Sequence, residues 1–340
     1  MRPHIVLVGH GYWGKNIARN LFQIGVLRGV CDADEEVLQE VGELYPEIQR
    51  YESLSDVLAD DQVAGVAIST QARTHATLAL QALHAGKDVF VEKPLALSYE
   101  TGKQVVELAD RTGRVLMVGH LLEYHPAVLR LVDLVRAGEL GRLQYIYSNR
   151  LNLGKFRREE NILWSFAPHD IAIILRLAAE SPIEVVATGG AYLQANVADT
   201  TVTNLLFDSG LRAHIFVSWL HPHKEQRLVV VGSKKMALFD DRAVPEEKLV
   251  VYDKGADWVN NLPVPRQGDG IPMPYDVAEP LRMEMEHFVH CMETRTRPTT
   301  DGYSGLRVLS VLQSAQQSLQ MGGSRVPLWQ TMRISQLASL

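Results

Sequence analysis

The stretch Ile5-Val6-Leu7-Val8-Gly9-His10-Gly11-Tyr12-Trp13-Gly14 decides the fold. A short apolar run of strand length flows into Gly-x-Gly-x-x-Gly, and a helix-compatible segment follows. In that setting each glycine has its own physical reason. Gly9 permits the tight turn, Gly11 lets the backbone approach a pyrophosphate, and Gly14 lets the helix pack closely on the strand. The helix N-terminus then turns free N–H groups and the positive end of its dipole toward phosphate. A second strand-like run, Val26 to Cys31, ends at Asp32, 18 residues beyond Gly14. A carboxylate there can accept hydrogen bonds from ribose hydroxyls. A 2′-phosphate would meet its negative charge, and the next residues, Ala33 and Asp34, bring no arginine to neutralise one. NAD is therefore expected over NADP.

Outward from that stretch, the first 120 residues alternate strand and helix patterns. Strands are expected at Ile5–Val8, Leu27–Cys31, Gly65–Ile68, Asp88–Val91 and Val115–Val118. Helices are expected at Tyr12–Ile24, Glu35–Tyr45, Ser53–Ala59, Thr74–Ala85 and Tyr99–Thr112. This alternation predicts an α/β Rossmann domain, a doubly wound parallel sheet with its ligand at the carboxyl ends of the strands. After about residue 140 strand-like runs follow one another: Leu143–Asn152, Glu184–Leu193, Thr200–Phe207, Leu211–Trp219, Gln226–Val231 and Met236–Phe239. Turn signals such as Asp208-Ser209-Gly210 separate them, which predicts a mostly antiparallel sheet in an α+β domain. One helix near Pro168–Ala179 interrupts the strands. Asp253–Pro280 reads as a long loop, and helices near Leu281–Met292 and Ser304–Leu319 finish the chain. The expected division is 1–121 for the cofactor domain and 122–340 for substrate binding and oligomerisation, with the terminal helices able to pack back on the first.

Composition narrows the function classes. A chain of 340 residues has room for two cores. The net charge of −6 argues against a general nucleic-acid surface. Two cysteines, Cys31 and Cys291, make no disulfide framework and suit a reducing cytoplasm. No Cys/His cluster has metal-ligand spacing. The first strand begins so early that no signal peptide is expected, and no apolar run reaches membrane-spanning length.

Three clusters are candidates for chemistry. The strand Asp88–Val91 runs into Glu92-Lys93-Pro94. Lys93 at a strand's carboxyl end can orient a substrate hydroxyl and stabilise developing alkoxide charge, although a lysine in a solvated turn would read the same. Pro94 stops the strand and suits a cis bond. The second cluster is Trp164-Ser165-Phe166-Ala167-Pro168-His169-Asp170. Pro168 suits the first position of a helix, which puts His169 in the first turn, where the dipole favours the neutral imidazole that a general base needs. Asp170 is expected to complement that dipole. The third cluster, Asn149 to Asn161, carries Arg150, Lys155, Arg157 and Arg158 with Glu159 and Glu160. Arginine forks there suit an anionic group such as a diphosphate, and a solvated, internally paired face is the alternative. His120, Tyr124 and His125 follow the last Rossmann strand and could line a cleft; His221 and His223 are weaker candidates.

Together these residues resemble the glucose–fructose oxidoreductase / inositol dehydrogenase / MocA family over essentially the whole chain. The resemblance rests on the glycine-rich opening, Glu92-Lys93-Pro94, the His169 helix, Glu286-His287-Phe288 and Pro298. It implies that Lys93 and His169 are catalytic. Ser165 stands where many members carry an aspartate four residues before that histidine, so an Asp–His pair does not carry over. The cofactor set is Gly9, Gly11, Tyr12, Trp13, Gly14, Asp32, Thr70, His75, Glu92 and Lys93. The substrate set is His120, Tyr124, Asn152, Arg157, Arg158, Ser165 and His169.

Within the family, His120-Leu121-Leu122-Glu123-Tyr124-His125-Pro126, Asn149-Arg150-Leu151-Asn152 and Pro168-His169-Asp170 look most like nucleotide-sugar 3-dehydrogenases of lipid A (lipopolysaccharide) and surface-glycan biosynthesis. That implies oxidation of the 3-hydroxyl of a UDP-linked N-acetylated sugar. UDP-N-acetylglucosamine is the first expectation and UDP-N-acetylglucosaminuronate the second. A PLP aminotransferase would use the ketone, and a homodimer or homotetramer is expected. A free-sugar or inositol dehydrogenase, a sugar 3-ketoreductase and a non-catalytic NAD-binding regulator are the rival readings. Whether Lys93 or His169 is the base stays open at this point.

Overall fold

A computed structural model of the chain describes residues 2–154, 156–158 and 160–328. They form two compact units, 2–124 with Ala278–Leu309, and His125–Val277 with 310–328.

In the first unit the elements alternate: β1 (Ile5–Val8), α1 (Gly14–Ile24), β2 (Leu27–Cys31), α2 (Glu35–Leu44), β3 (Gln49–Tyr51), α3 (Leu54–Ala59), β4 (Gly65–Ile68), α4 (Ala72–His84), β5 (Asp88–Glu92), α5 (Tyr99–Thr112) and β6 (Leu116–Gly119). The six strands pair in parallel in the order β3-β2-β1-β4-β5-β6. The order reverses between β1 and β4, so the loops after those two strands flank the place where such sheets bind ligands. The central strands are buried on both faces, which is why they read as unbroken apolar runs. Local chemistry sets the helix ends. Asp34 accepts from the Glu36 backbone N–H at the start of α2, and Ser98 from that of Thr101 at the start of α5. Gly25 closes α1 in the left-handed region at φ 79°. The edge strand β3 is an addition to the expected list, because Gln49-Arg50-Tyr51 has no apolar run to announce it.

The second unit holds α6 (Pro126–Arg136), β7 (Leu143–Leu151), α7 (Ile162–Ala178), β8 (Glu184–Gly190), β9 (Thr200–Leu206), β10 (Arg212–Ser218), β11 (Glu225–Gly232), β12 (Met236–Asp240), β13 (Leu249–Tyr252), β14 (Gly255–Val259), β15 (Leu262–Arg266) and β16 (Gly270–Pro272). The large sheet runs β16-β13-β12-β11-β7-β10-β9-β8-β17, where β17 is Val326–Pro327. It is antiparallel except for β7 beside β10. Helix α7 packs on β7, β9 and β10, and α6 on β12 and β13. Three findings correct the expected elements. Helix α6 was not anticipated. The expected loop 253–280 contains the hairpin β14–β15 and the strand β16. Helix α7 begins at Ile162, capped by Asn161, so Pro168 lies inside it rather than at its first position.

The last helices are α8 (Pro280–Thr294) and α9 (Gly302–Gln320). Leu281, Met285, Phe288, Val289 and Met292 of α8 belong to the same buried cluster as Ile5, Leu7, Leu21 and Phe90 of the first unit. Among the described residues no helix is long and apolar enough to cross a membrane.

Candidate active site

The glycine-rich turn has the geometry its spacing predicts. Gly9 sits at φ +93°, and a Cβ there would lie 2.8 Å from Thr70 Cγ2 and 2.9 Å from the Ser69 carbonyl oxygen. The turn is thus pressed against the loop after β4. A Cβ on Gly14, the first residue of α1, would lie 2.1 Å from the Gly9 carbonyl oxygen. Gly11 differs: a Cβ there would meet no heavy atom within 4 Å. The space above Gly11 is open, as a ligand approaching the backbone requires. Asp32, just past β2, accepts the His10 backbone N–H at 2.8 Å and the Asp34 N–H at 3.1 Å. Its carboxylate is aimed by the turn itself. These residues fit a dinucleotide: Gly9, Gly11 and Gly14 would cradle its pyrophosphate and Asp32 would hold a ribose. Tyr12 is 91% exposed beside the turn.

Trp13 immediately precedes α1 and donates its indole N–H to Glu92 Oε1 at 2.6 Å. This bond ties the glycine-rich turn to the carboxyl end of β5. Glu92 Oε2 also accepts the Lys93 backbone N–H at 3.2 Å. The Lys93–Pro94 bond is cis. His75 is buried, with Nδ1 2.8 Å from the Pro94 carbonyl oxygen and Nε2 3.2 Å from that of Thr70. Its ring therefore bridges the turn that carries Lys93 and the loop after β4. Thr70 Oγ1 lies 2.7 Å from Thr74 Oγ1.

His120 follows β6, next to β5 in the sheet, and is 1% exposed. Burial, with Lys93 and Arg307 nearby, lowers its pKa to about 3, so the ring is neutral. Tyr124 is buried with its hydroxyl 3.1 Å from Thr300 Oγ1 and its ring against His287. His125 caps α6, accepting the Ala127 N–H on Nδ1 at 3.1 Å.

In the second unit His169 lies two turns into α7, so the first-turn dipole expected to act on it does not apply. Asp170 is buried and receives three hydrogen bonds: Ser148 Oγ at 2.5 Å, Arg150 Nε at 2.8 Å and Arg150 Nη2 at 3.1 Å. The expected dipole role of Asp170 gives way to a two-pronged ion pair with Arg150. That pair pins α7 to β7 beside His169. It also removes Arg150 from the cationic cluster. Arg157 and Arg158 are exposed, with Arg157 Nε 3.8 Å from Glu160 Oε1. Lys155 and Glu159 lie outside the described residues. Asn152 follows β7, donating its backbone N–H to the Ser218 carbonyl at 3.0 Å, and Ser165 is buried in α7. His221 Nδ1 lies 2.8 Å from the His223 carbonyl oxygen in the loop after β10.

Sequence reasoning missed Glu284. It occupies one position of the apolar stripe of α8 and is fully buried. A carboxylate in an otherwise apolar stripe is the signal that could have found it. Among the described residues no group of three or more His, Cys, Asp or Glu is arranged to hold a metal ion.

A parallel sheet with this turn, this carboxylate and a polar Glu-Lys pair at its ligand edge defines a dinucleotide-dependent oxidoreductase. Residues 4–120 match the model of the oxidoreductase family with an NAD-binding Rossmann fold, and residues 128–238 match the GFO/IDH/MocA C-terminal domain. The chain belongs to the GFO/IDH/MocA family and is an NAD(P)-dependent oxidoreductase. It is 28% identical over 314 residues to the UDP-N-acetylglucosamine 3-dehydrogenase of Acidithiobacillus ferrooxidans, covering 91% of this chain and 94% of that one. A solved structure of that enzyme is similar with a TM-score of 0.83 at 25% identity, covering 95% of this chain and 99% of the other. The D-xylose 1-dehydrogenase [NADP(+)] of Haloarcula marismortui is 23% identical over 330 residues, covering 91% and 88%.

Proposed function

We propose that this enzyme oxidises the 3-hydroxyl of a UDP-linked N-acetylated sugar, with UDP-N-acetylglucosamine as substrate and NAD as cofactor. The observation that carries the reading is the near full-length likeness to a UDP-N-acetylglucosamine 3-dehydrogenase. NAD is favoured over NADP by the ground around Asp32. Asp34, Glu35 and Glu36 follow it at the start of α2, and a 2′-phosphate there would face carboxylates rather than a guanidinium.

Bound NAD supplies the hydride acceptor. Lys93 holds the reacting oxygen and stabilises the partial negative charge that develops on it. His169 takes the hydroxyl proton, the neutral imidazole being the form that accepts one. Arg157 and Arg158 hold the diphosphate of the substrate. The ketone formed is a carbonyl that a PLP aminotransferase can take up, and product removal of that kind draws the oxidation forward. UDP-N-acetylglucosaminuronate is the second substrate on the same chemistry.

Single-turnover reduction of NAD tests the two catalytic assignments separately. Lys93→Met and His169→Asn are each expected to slow it by about 100-fold. A loss below about 10-fold in both variants would remove the site from these residues.

A further inference from the structure

The loop between β8 and β9 presents a tyrosine that the core of the second unit does not use. Tyr192 is 73% exposed. Its position is nevertheless fixed. An ideal Cβ on Gly190 would lie 2.6 Å from Cε2 of Tyr192 and nearer still to Cζ and Oη. The ring therefore rests on the bare backbone of Gly190, and a side chain at that residue would push it off.

A buried carboxylate holds the backbone on which that ring is mounted. Asp199 is 1% exposed. Its Oδ2 accepts the N–H groups of Tyr192 at 2.5 Å and Leu193 at 2.9 Å, and its Oδ1 accepts the indole N–H of Trp219 at 2.7 Å. The Asp199 N–H donates to the Gly190 carbonyl at 2.8 Å, which closes the loop at its base. Hydrogen bonds to a charged acceptor are the stronger kind, so Tyr192 is held in place before any ligand arrives.

The same loop is tied to the cationic segment and to the helix that carries His169. Leu151, Ser218, Thr200 and Gly190 lie side by side across β7, β10, β9 and β8, at one edge of the sheet. The loop after β7 meets the loop after β8 along that edge. The Gln194 side-chain N–H donates to the Arg158 carbonyl at 3.4 Å, and Phe156 meets Trp219 edge-on with ring centroids 6.3 Å apart. At the start of α7 the Ile162 N–H donates to the Ala198 carbonyl at 3.0 Å. His169 lies two turns further along α7, about 10 Å. An exposed aromatic ring, Arg157 with Arg158, and His169 thus share one end of the second unit. From the end of β7 to the end of β8 is three strand spacings, about 14 Å. A free hexose is too short to bridge that edge, and a nucleotide sugar is long enough to follow it.

We propose that Tyr192 is the platform on which the nucleobase of the nucleotide-sugar substrate stacks, with Gly190 and Asp199 as positioning residues that present its ring. The assignment rests on the nucleotide-sugar reading given above and extends it to the base. A planar base has a π-face that an aromatic side chain accepts, and Arg157 and Arg158 on the adjoining loop take the diphosphate. The sugar then extends from the diphosphate toward His169.

The test measures the dissociation constant of UDP by calorimetry for the full chain with NADH present, and that of NADH by itself. UDP should bind Tyr192→Ala about 5- to 100-fold more weakly than the wild type, the range that base–aromatic stacking spans. Tyr192→Phe should stay within about twofold, because the ring rather than the hydroxyl makes the platform. Gly190→Ala keeps the ring but displaces it, and should weaken UDP by at least about threefold. NADH affinity should be the same in all three variants and the wild type. UDP binding to Tyr192→Ala as tightly as to the wild type would overturn the platform and leave the nucleotide-sugar reading standing. A wild type that binds neither UDP nor UDP-N-acetylglucosamine would overturn both. A different mass for Tyr192→Ala by light scattering would assign the ring to a contact between copies of the chain, and would overturn the platform as well.

Discussion

Replacing Gly11 with alanine separates the ligand's cradle from the fold that surrounds it. An ideal Cβ at Gly11 meets nothing within 4 Å, and Gly11 is not among the residues with positive φ. The folded protein therefore accepts the methyl group, and the stiffer unfolded chain stabilises it by about 0.4–1 kcal/mol. For a chain of this length that raises the melting temperature by at most about 3 °C. The same methyl occupies the space a pyrophosphate needs, so NADH affinity should fall at least tenfold, or about 1.4 kcal/mol. Gly14→Ala is the contrasting variant. Its Cβ would lie 2.1 Å from the Gly9 carbonyl oxygen, and backbone cannot swing aside as a side chain can. Helix α1 must shift, at a cost of about 1–3 kcal/mol in stability. Thermal melts without cofactor and NADH fluorescence titrations read both variants. A Gly11→Ala protein that binds NADH as the wild type does, or that melts several degrees lower, would refute the reasoning.

Further predictions concern both units. Asp170→Asn leaves the Arg150 guanidinium buried without its counter-charge and should cost about 3–5 kcal/mol in urea denaturation, most of it recovered by combining it with Arg150→Met. Asp60 is held down to about 2 by hydrogen bonds from Arg28 and then from Tyr51. Its folded pKa lies below the unfolded value, so its stabilisation is present above about pH 4 and is lost as pH falls toward about 2; Asp60→Asn should flatten that part of the acid denaturation curve. Arg157→Ala should raise the KM for a UDP-sugar several-fold while leaving NADH affinity unchanged, and an unaltered KM would release Arg157 from the diphosphate role. A dimer or tetramer is expected by light scattering at micromolar concentration, and a monomer would contradict it.

Most of the first unit was legible because its strands are buried on both faces and its turns carry mandatory glycines. Gly9 and Gly14 are required by contacts as close as 2.8 and 2.1 Å, and such requirements leave a mark in the letters. Strand β3 left none, since three polar residues at a sheet edge need no apolar pattern. Helix α7 was read six residues too late. Its first turns are buried nearly all round, which erases amphipathic spacing, and Pro168 mimics a helix start. Asn161 was the better signal, as its side chain accepts the Trp164 N–H. The hairpin β14–β15 was hidden because Trp258, Leu262 and their neighbours are exposed, so its strands show no buried face. Among the candidate residues, Asp32 just past β2 and Glu92 at the end of β5 lie at the strand ends where the sequence puts them. The Arg150–Asp170 pair could not be placed, because it joins residues 20 apart in the sequence, while Glu284 left only the mark of one carboxylate in an apolar stripe.

The most direct measurement of the central claim is NADH formation from NAD with UDP-N-acetylglucosamine, run with and without a 3-aminotransferase and its amino donor, beside D-xylose and myo-inositol. The account predicts NADH from the UDP-sugar, increased by the aminotransferase as it removes the ketone, and none from the free sugar or the polyol. NADH from D-xylose or myo-inositol, with the UDP-sugars inert in the presence of the trap, would contradict it.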